Sequence, residues 1–220
     1  DPLDTRKTAA KAADLSLEEV TFHPMLLGGG FGRKLPGQNP VIDQAVKLAM
    51  QSPWPVKVIW PREEEVRQGT YRPQSTIALK AALGKDGKIA AWQSTCAQDE
   101  AMVPPGIAVI YTVPSVEQQN EAQKVNILTA SWRSVEASQH GFFHECFMDE
   151  LAHAAGVDPL EFRKRHLAPA SRAAKVLDAV AKASGWGTPL PKGTGRGIAV
   201  IESFGTVCAQ VVQASLREDG

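Results

Sequence analysis

The amino-acid sequence predicts a mixed fold of the α+β or α/β class, in which helices and strands both occur. Helices are indicated by residues that favour helix starts, as in Asp158-Pro159 and at Ser171. A β-hairpin is indicated by two strand-like segments, 75–83 and 89–98, which flank the turn sequence Asp86-Gly87. Together these signals place the chain in the mixed class.

Helices are predicted from caps, stop residues and apolar spacing. Ser16 and Glu19 have the spacing of a capping box, although little helix can follow it. Asn39-Pro40 favours a helix start, and Ser138 is predicted to cap a long aromatic helix. The predicted helices cover residues 4–13, 40–51, 139–155, 159–167 and 171–185.

Strands are predicted where short apolar runs lie between turn residues. Segment 20–27 is predicted to be a buried strand that leads into a glycine loop, and 56–60 a strand covered on both faces. Segment 125–130 also has strand character, whereas 61–72 is predicted to be a loop.

The last part of the chain has a separate character. The Gly- and Pro-rich stretch that ends at Gly197 is interpreted as a domain boundary. Segment 207–216 is strand-like and is followed by Asp219-Gly220, a turn signal whose return strand would lie outside the chain. We therefore expect the chain to be a fragment of a longer protein.

Composition excludes several classes of protein. The 24 basic and 24 acidic side chains give a formal net charge of zero, which argues against a nucleic-acid-binding protein. The apolar runs are far shorter than the ~20 residues that a membrane helix needs, so no transmembrane segment is predicted. The cysteines are too widely separated for a zinc or iron–sulfur motif.

No catalytic residue and no metal ligand is predicted within the chain. His140 and His144 are one helical turn apart, but Gly141 stands where a zinc-protease motif requires Glu. Glu145 and Asp149, with Glu150, could form an acid–base pair, although such residues more often form ion pairs or face solvent.

The glycine-rich loop 28–32 is the first candidate binding site. Its four glycines around Phe31 let backbone N–H groups approach an anion or a bulky cofactor without interference from Cβ atoms. Arg33 and Lys34 follow the loop and favour a phosphate or a similar polar ligand. The loop matches neither a Walker loop nor the dinucleotide fingerprint, and a tight structural turn is the alternative.

A second candidate precedes the long aromatic helix. Trp132-Arg133-Ser134 places a guanidinium where helix N–H donors and the positive end of the dipole converge, which suits an anion or a carbonyl group. The alternative is an Arg–carboxylate pair beside a core Trp. Gln139 could donate a hydrogen bond there or lie at the surface. A third glycine-rich group, 193–197 and 203–206, is by itself most simply a linker and a bulged strand.

These three groups, taken in order, resemble one family. The residues that carry the resemblance are 26–34, then Trp132-Arg133-Ser134-Val135 with the helix through Ala152, and 195–199 with Ser203-Phe204-Gly205. They resemble molybdenum hydroxylase large subunits, in the branch of the isoquinoline 1-oxidoreductase β subunit and the membrane-associated aldehyde dehydrogenases. The resemblance implies a truncated molybdopterin-binding domain of the aldehyde oxidase/xanthine dehydrogenase type, with an α+β fold. Residues 1–170 would be part of the first such domain and 171–220 the start of the second.

The resemblance also implies an activity. Large subunits of this family bind molybdenum with molybdopterin cytosine dinucleotide, and they hydroxylate an N-heteroaromatic ring or oxidise an aldehyde with oxygen from water. Electrons would leave through a small [2Fe–2S] subunit, and a cytochrome c is a candidate acceptor. Members occur in the bacterial cytoplasm or periplasm, and the sequence does not decide between the two.

The matching positions define a predicted cofactor site. Backbone amides of the glycine loop would lie near the molybdenum ligands and the pterin, and Phe204 with its neighbours would approach the substrate. The predicted cofactor-binding residues are Gly29, Gly30, Phe31, Gly32, Arg133, Ser134, Gln139, Phe204, Gly205 and Thr206.

Two positions differ from the xanthine-oxidising relatives. Leu35 stands where those have a substrate-binding Glu, and Val135 where they have a stacking Phe, so an aldehyde or a less polar N-heteroaromatic fits better than a purine. The family's general-base Glu would lie beyond Gly220, so the chain alone is expected to bind the cofactor poorly and to show no catalytic turnover. The rival interpretations are a nucleotide- or phosphate-binding domain without redox role, and a non-catalytic interaction module.

Overall fold

The computed structural model describes residues 2–32, 34–35, 40–99 and 110–217. The chain divides into two compact units. The first comprises Asp1–Pro73 and Lys124–Val135, and the second comprises Gln74–Gln123 and Glu136–Gly220. Helices and strands both occur, so the predicted mixed class is confirmed. In the described part of the chain, no helix has the length and apolar character needed to cross a membrane.

The first unit is built from helices. The predicted capping box is present, because the backbone N–H and the hydroxyl of Ser16 both donate to the carboxylate of Glu19, at 2.9 and 2.8 Å. The capping box begins a single 3₁₀ turn, which agrees with the expectation that little helix could follow it. The helices of this unit are α1 (Pro2–Ala13), the 3₁₀ turn (Leu17–Glu19), α2 (Pro40–Ala49) and α3 (Arg62–Gln68).

Three predictions for the first unit are wrong. Segments 20–27 and 56–60 are irregular and not strands, because the described residues of this unit contain no strand that pairs with either. The segment 61–72, predicted to be a loop, contains α3. That helix begins after Pro61 and carries three Glu in its first turn, where they face the positive end of the helix dipole.

A short parallel bridge pairs Tyr71 with Thr129 within the first unit. The N–H of Tyr71 donates to the carbonyl of Leu128 at 2.8 Å, and the N–H of Ala130 donates to the carbonyl of Tyr71 at 2.9 Å. The strand predicted over 125–130 is reduced to this bridge. The bridge brings the residues that follow Tyr71 close to those that follow Ala130.

The second unit contains a three-stranded sheet of order β1-β2-β3. The predicted hairpin is confirmed: β1 (Ser75–Leu83) pairs antiparallel with β2 (Ile89–Asp99), and Gly87 has the positive φ of 73° that the turn requires. Strand β3 (Ser115–Gln123) runs parallel to β2 and was not predicted. Seven of its nine residues are polar and all nine are exposed, so it lacks the alternation that marks a half-buried strand.

Three helices and a second hairpin complete this unit. Asp158 caps its helix through Oδ1, and the hydroxyl of Ser171 accepts from the N–H of Ala174, as predicted. Ser138 is not the cap of the aromatic helix, because the helix already begins at Ala137. The elements are α4 (Ala137–Ala154), α5 (Pro159–Arg165), α6 (Arg172–Ser184), β4 (Thr194–Ser203) and β5 (Thr206–Ser215).

Side chains from the helices and from both sheets form the core of the second unit. Helices α4, α5 and α6 contribute Met148, Phe162 and Leu177, which are fully buried, and these pack with Trp92 of β2 and Val200 of β4. A fully buried Leu or Phe side chain contributes roughly 1.5–3 kcal/mol to folding. The core therefore fixes the β4–β5 hairpin against the helices.

A buried ion pair links α4, α5 and β4. Arg163 donates from Nε to the Glu145 carboxylate at 2.9 Å and from Nη1 to Asp149 at 2.6 Å. The same Glu145 carboxylate accepts from the Tyr111 hydroxyl at 2.8 Å and from the N–H of Val200 at 2.9 Å. Burial, together with the charge of Glu145, raises the pKa of Tyr111 well above its ordinary value, so the hydroxyl remains a donor. Glu145 and Asp149 therefore form the ion pair that was the alternative to an acid–base pair.

Candidate functional site

The glycine loop and the segment before α4 meet within the first unit. A Cβ atom on Gly32 would lie 2.8 Å from the carbonyl oxygen of Ser131 and 2.8 Å from backbone atoms of Trp132. Gly32 also has a φ of 84°, in the region that favours glycine. The residue is therefore required for this close backbone approach, which joins the first two motifs of the sequence.

Arg133 lies over the aromatic ring of Phe31. The guanidinium carbon is 4.5 Å from the ring centroid, which is the geometry of a cation–π contact. The alternative prediction of a core Trp is wrong, because Trp132 is 37% exposed. Phe31 itself is 53% exposed, so both groups are accessible at the surface of the unit.

These residues line a pocket of about 500 Å³, which we call the glycine–arginine pocket. Three of its side chains are cationic and one, Glu65, is anionic. Glu65 is bound to Arg62 at 2.6 Å, so the pocket has a net positive lining. The lining residues are Gly29, Gly30, Phe31, Lys34, Arg62, Glu65, Trp132 and Arg133.

The backbone is strained beside this pocket. Phe31, Ser134 and Val135 have φ angles of 51°, 57° and 48°, which non-glycine residues rarely adopt. They are three of the five non-glycine residues with positive φ in the described ranges, and a fourth is Phe204 of the third motif. Strain of this kind persists where the surroundings enforce it and is concentrated at functional sites.

The pocket offers donors to a polar ligand. Within the described part of the chain, the amides of Gly29 to Gly32 donate no hydrogen bond to another residue. Lys34, Arg62 and Arg133 add positive charge, and the rings of Phe31 and Trp132 add flat apolar surface. A planar ligand that carries a phosphate or other anionic group would satisfy these donors and cover both rings.

Four lining residues, Lys34, Arg62, Glu65 and Trp132, were not among the predicted cofactor-binding residues. Arg62 was assigned to a charged loop, and its position in the first turn of α3 is what brings it to the pocket. Trp132 was recognised as part of the second motif but was given no role. Arg33 lies outside the described residues. The hydroxyl of Ser134 donates to the neighbouring carbonyl of Arg133 at 2.6 Å, and its predicted place at the cofactor edge stays a prediction.

The remaining predicted site residues belong to the second unit. Gln139 is a half-buried residue in the first turn of α4. Phe204 and Gly205 form the turn between β4 and β5, so the interpretation of this segment as a bulged strand is wrong, and β4 begins within the predicted linker. The carbonyl of Gly205 accepts from Nη1 of Arg172 at 2.9 Å, and Phe204 is 80% exposed. Their roles at the cofactor, and that of Thr206, stay predictions.

The histidines and carboxylates of α4 form no metal site. Across the described ranges, no group of three His, Cys, Asp or Glu side chains could hold a metal ion. His144 packs edge-on against Trp92, and burial, helped by the neighbouring His140, lowers the pKa of His144 to about 4. Both imidazoles are therefore neutral core side chains near pH 7.

Comparison with known proteins identifies the family of the chain. The chain belongs to the molybdopterin cofactor-binding domain family, which its residues 1–167 match. The predicted resemblance is thereby confirmed. The expected domain boundary at residue 170 stays a prediction.

Individual relatives cover most of the chain. The beta subunit of isoquinoline 1-oxidoreductase from Brevundimonas diminuta is 30% identical over 197 residues, which are 81% of this chain and 25% of that protein. A nicotinate dehydrogenase subunit of Pseudomonas putida is 31% identical over 189 residues, 74% of this chain and 15% of that protein. The crystal structure of quinoline 2-oxidoreductase from Pseudomonas putida 86 has the same fold, with a TM-score of 0.75 and 19% identity over 91% of this chain and 30% of that one. The chain thus spans a third or less of the length of these relatives.

Proposed function

We propose that the chain is the pterin-binding part of the large subunit of a molybdenum-dependent oxidoreductase. The complete enzyme would hydroxylate an N-heteroaromatic ring or oxidise an aldehyde with oxygen derived from water. Family membership supports the cofactor class. The observation that carries the proposal is the contact of Arg133 with Phe31, because it joins the glycine loop and the second motif in one cationic pocket.

The residues of the pocket suit a pterin with a phosphate. The amides of Gly29 to Gly32 would donate to polar edge atoms, and Arg133 with Lys34 would balance the phosphate charge. Phe31 and Trp132 would pack beside the ring system and exclude water from it. When bound, the cofactor supplies the redox chemistry at molybdenum, and the protein supplies orientation and electrostatics.

The proposed substrate class follows from the side chains near this loop and from the named relatives. Leu35 and Val135 are apolar, so neither provides the carboxylate or the stacking ring that a purine would need. The relatives are named for isoquinoline, nicotinate, quinoline and aldehydes. An N-heteroaromatic compound or an aldehyde is therefore proposed. The cytosine dinucleotide form, the [2Fe–2S] subunit and a cytochrome c acceptor belong to the same proposal.

Replacing Arg133 with Gln is expected to weaken cofactor retention. A charge-assisted hydrogen bond contributes roughly 1.5–3 kcal/mol, so affinity for the pterin should fall about tenfold or more. The complete gene product would be purified from a host that makes the cofactor, and its molybdenum and pterin contents measured. Arg67→Gln is the matched control, because Arg67 is exposed on α3 and is not a lining residue.

Two results would contradict the proposal. One is the absence of both molybdenum and pterin from the unsubstituted protein. The other is an unchanged cofactor content in a folded Arg133→Gln variant. Oxidation of a purine in preference to an aldehyde or an N-heteroaromatic compound would contradict the substrate class alone. Stabilisation of the chain itself by a nucleotide would favour the rival nucleotide-binding function.

A further inference from the structure

Arg72 contacts the 132–135 turn, which carries Arg133. Its guanidinium donates from Nη1 to the carbonyl of Val135 at 3.0 Å and from Nη2 to the carbonyl of Arg133 at 3.1 Å. The side chain is half-buried, and the bridge between Tyr71 and Thr129 fixes the backbone immediately before it. One planar group thus contacts two carbonyls of the same short turn.

The 132–135 turn has an unfavourable backbone conformation that neighbouring groups must stabilise. Ser134 and Val135 both have positive φ, and Val135 is β-branched, the type of residue for which this region is least favourable. Within the turn, the N–H of Val135 donates to the carbonyl of Trp132 at 2.7 Å. Non-glycine residues keep positive φ angles where neighbouring groups hold the backbone in place. Here the two hydrogen bonds from Arg72 hold the backbone of the turn.

The same turn determines where the Arg133 side chain lies. The backbone of Trp132 packs against Gly32, and the guanidinium of Arg133 then lies over Phe31. If the turn relaxed to ordinary φ angles, the direction of the Arg133 side chain would change and this contact would be lost. The conformation of the turn and the lining of the glycine–arginine pocket are therefore coupled.

We propose that Arg72 is a positioning residue for the glycine–arginine pocket. By binding the carbonyls of Arg133 and Val135, it keeps the 132–135 turn in its left-handed conformation and keeps the Arg133 guanidinium over the Phe31 ring. A lysine cannot replace it fully, because a single ammonium group does not offer two parallel donors in a planar fork. This role does not depend on which ligand the pocket binds.

An Arg72→Gln variant tests the proposal by two local measurements. Amide hydrogen exchange in a peptide that spans residues 132–136 is expected to become about tenfold faster or more, while exchange in α2 is unchanged. Modification of Arg133 by phenylglyoxal, followed by mass spectrometry, is expected to accelerate because the guanidinium leaves the aromatic ring. Neither readout would change in this selective way if Arg72 only supported the fold in general.

Three further variants extend the test. Arg67→Gln removes an exposed guanidinium from α3 and should leave both measurements unchanged. Arg72→Lys should give exchange and modification rates between those of the unsubstituted protein and those of Arg72→Gln. In Arg72→Ala, added methylguanidine replaces the missing guanidinium group and should restore slow exchange. Unchanged rates in a folded Arg72→Gln variant overturn the proposal, and so does faster exchange that extends through α2.

If Arg72→Gln does not fold, the same two measurements on Arg72→Lys decide. Faster rates that are confined to the turn support the proposal, and unchanged rates overturn it.

Discussion

A Gly32→Ala variant is expected to lose about 3 kcal/mol of its free energy of unfolding, of which roughly 1–2 reflects the positive φ and roughly 1–3 the overpacking. The added Cβ would lie 2.8 Å from backbone atoms of Ser131 and Trp132, and backbone cannot rotate away as a side-chain end could. Urea unfolding followed by tryptophan fluorescence measures the loss, since Trp132 lies at the contact.

Gly28→Ala is the matched control for that variant. Gly28 is in the same loop, has no heavy atom within 4 Å of an added Cβ, and lies outside the positive-φ region. Its stability should stay within about 0.5 kcal/mol of the unsubstituted protein. Equal stabilities of the Gly28 and Gly32 variants would show that the loop does not pack against the 132–135 turn as described.

An Arg163→Met variant is expected to be destabilised by about 3–5 kcal/mol. The side chain of Arg163 is fully buried, and its removal would leave the Glu145 carboxylate, which accepts from the Tyr111 hydroxyl, in the core without its cationic partner. A buried charge without a partner is costly because it has lost its hydration. Denaturant unfolding monitored by circular dichroism measures the change.

Arg165→Met gives the comparison for this second variant. Arg165 is exposed and lies on the same short helix, so the substitution has the same chemistry without the buried carboxylate. It should change stability by no more than about 0.5 kcal/mol. A loss below about 1 kcal/mol for Arg163→Met would mean that the ion pair contributes little, as many exposed pairs do.

Local signals in the sequence predicted the elements that depend on local contacts. Asp158 and Ser171 satisfy helix N–H groups two or three residues away, and Gly87 adopts the positive φ of its hairpin turn. Such interactions involve residues that are adjacent in the chain, so spacing alone identifies them. The helix α3 was missed because its charged first turn was interpreted as a loop, although that charge favours a helix start.

Strands depend on partners that local spacing does not specify. Segments 20–27 and 56–60 have the composition of buried strands but form none, since no strand of their unit pairs with them in the described ranges. Conversely, β3 pairs with β2 although its polar sequence carries no strand pattern. In both cases tertiary pairing outweighed intrinsic preference.

The candidate site was predicted in part. Spacing identified the glycine loop and the Trp132-Arg133 motif separately, and the family resemblance grouped them. Their contact through Gly32 and Phe31 is a long-range feature that no local pattern encodes. Arg72 belongs to no sequence motif, and its place beside the 132–135 turn follows from the bridge at Tyr71 and from its two hydrogen bonds to the turn. The grouping of Phe204, Gly205 and Thr206 with this site stays a prediction.

We propose that the glycine loop and the 132–135 turn together bind the pterin cofactor. Amide hydrogen exchange of the complete gene product tests it most directly, when the cofactor-loaded protein is compared with the same protein from a host that cannot make the cofactor. We expect slower exchange on loading at residues 28–32 and 131–136, and unchanged exchange in α6. Cofactor-dependent protection that leaves both of these segments unchanged would contradict the account.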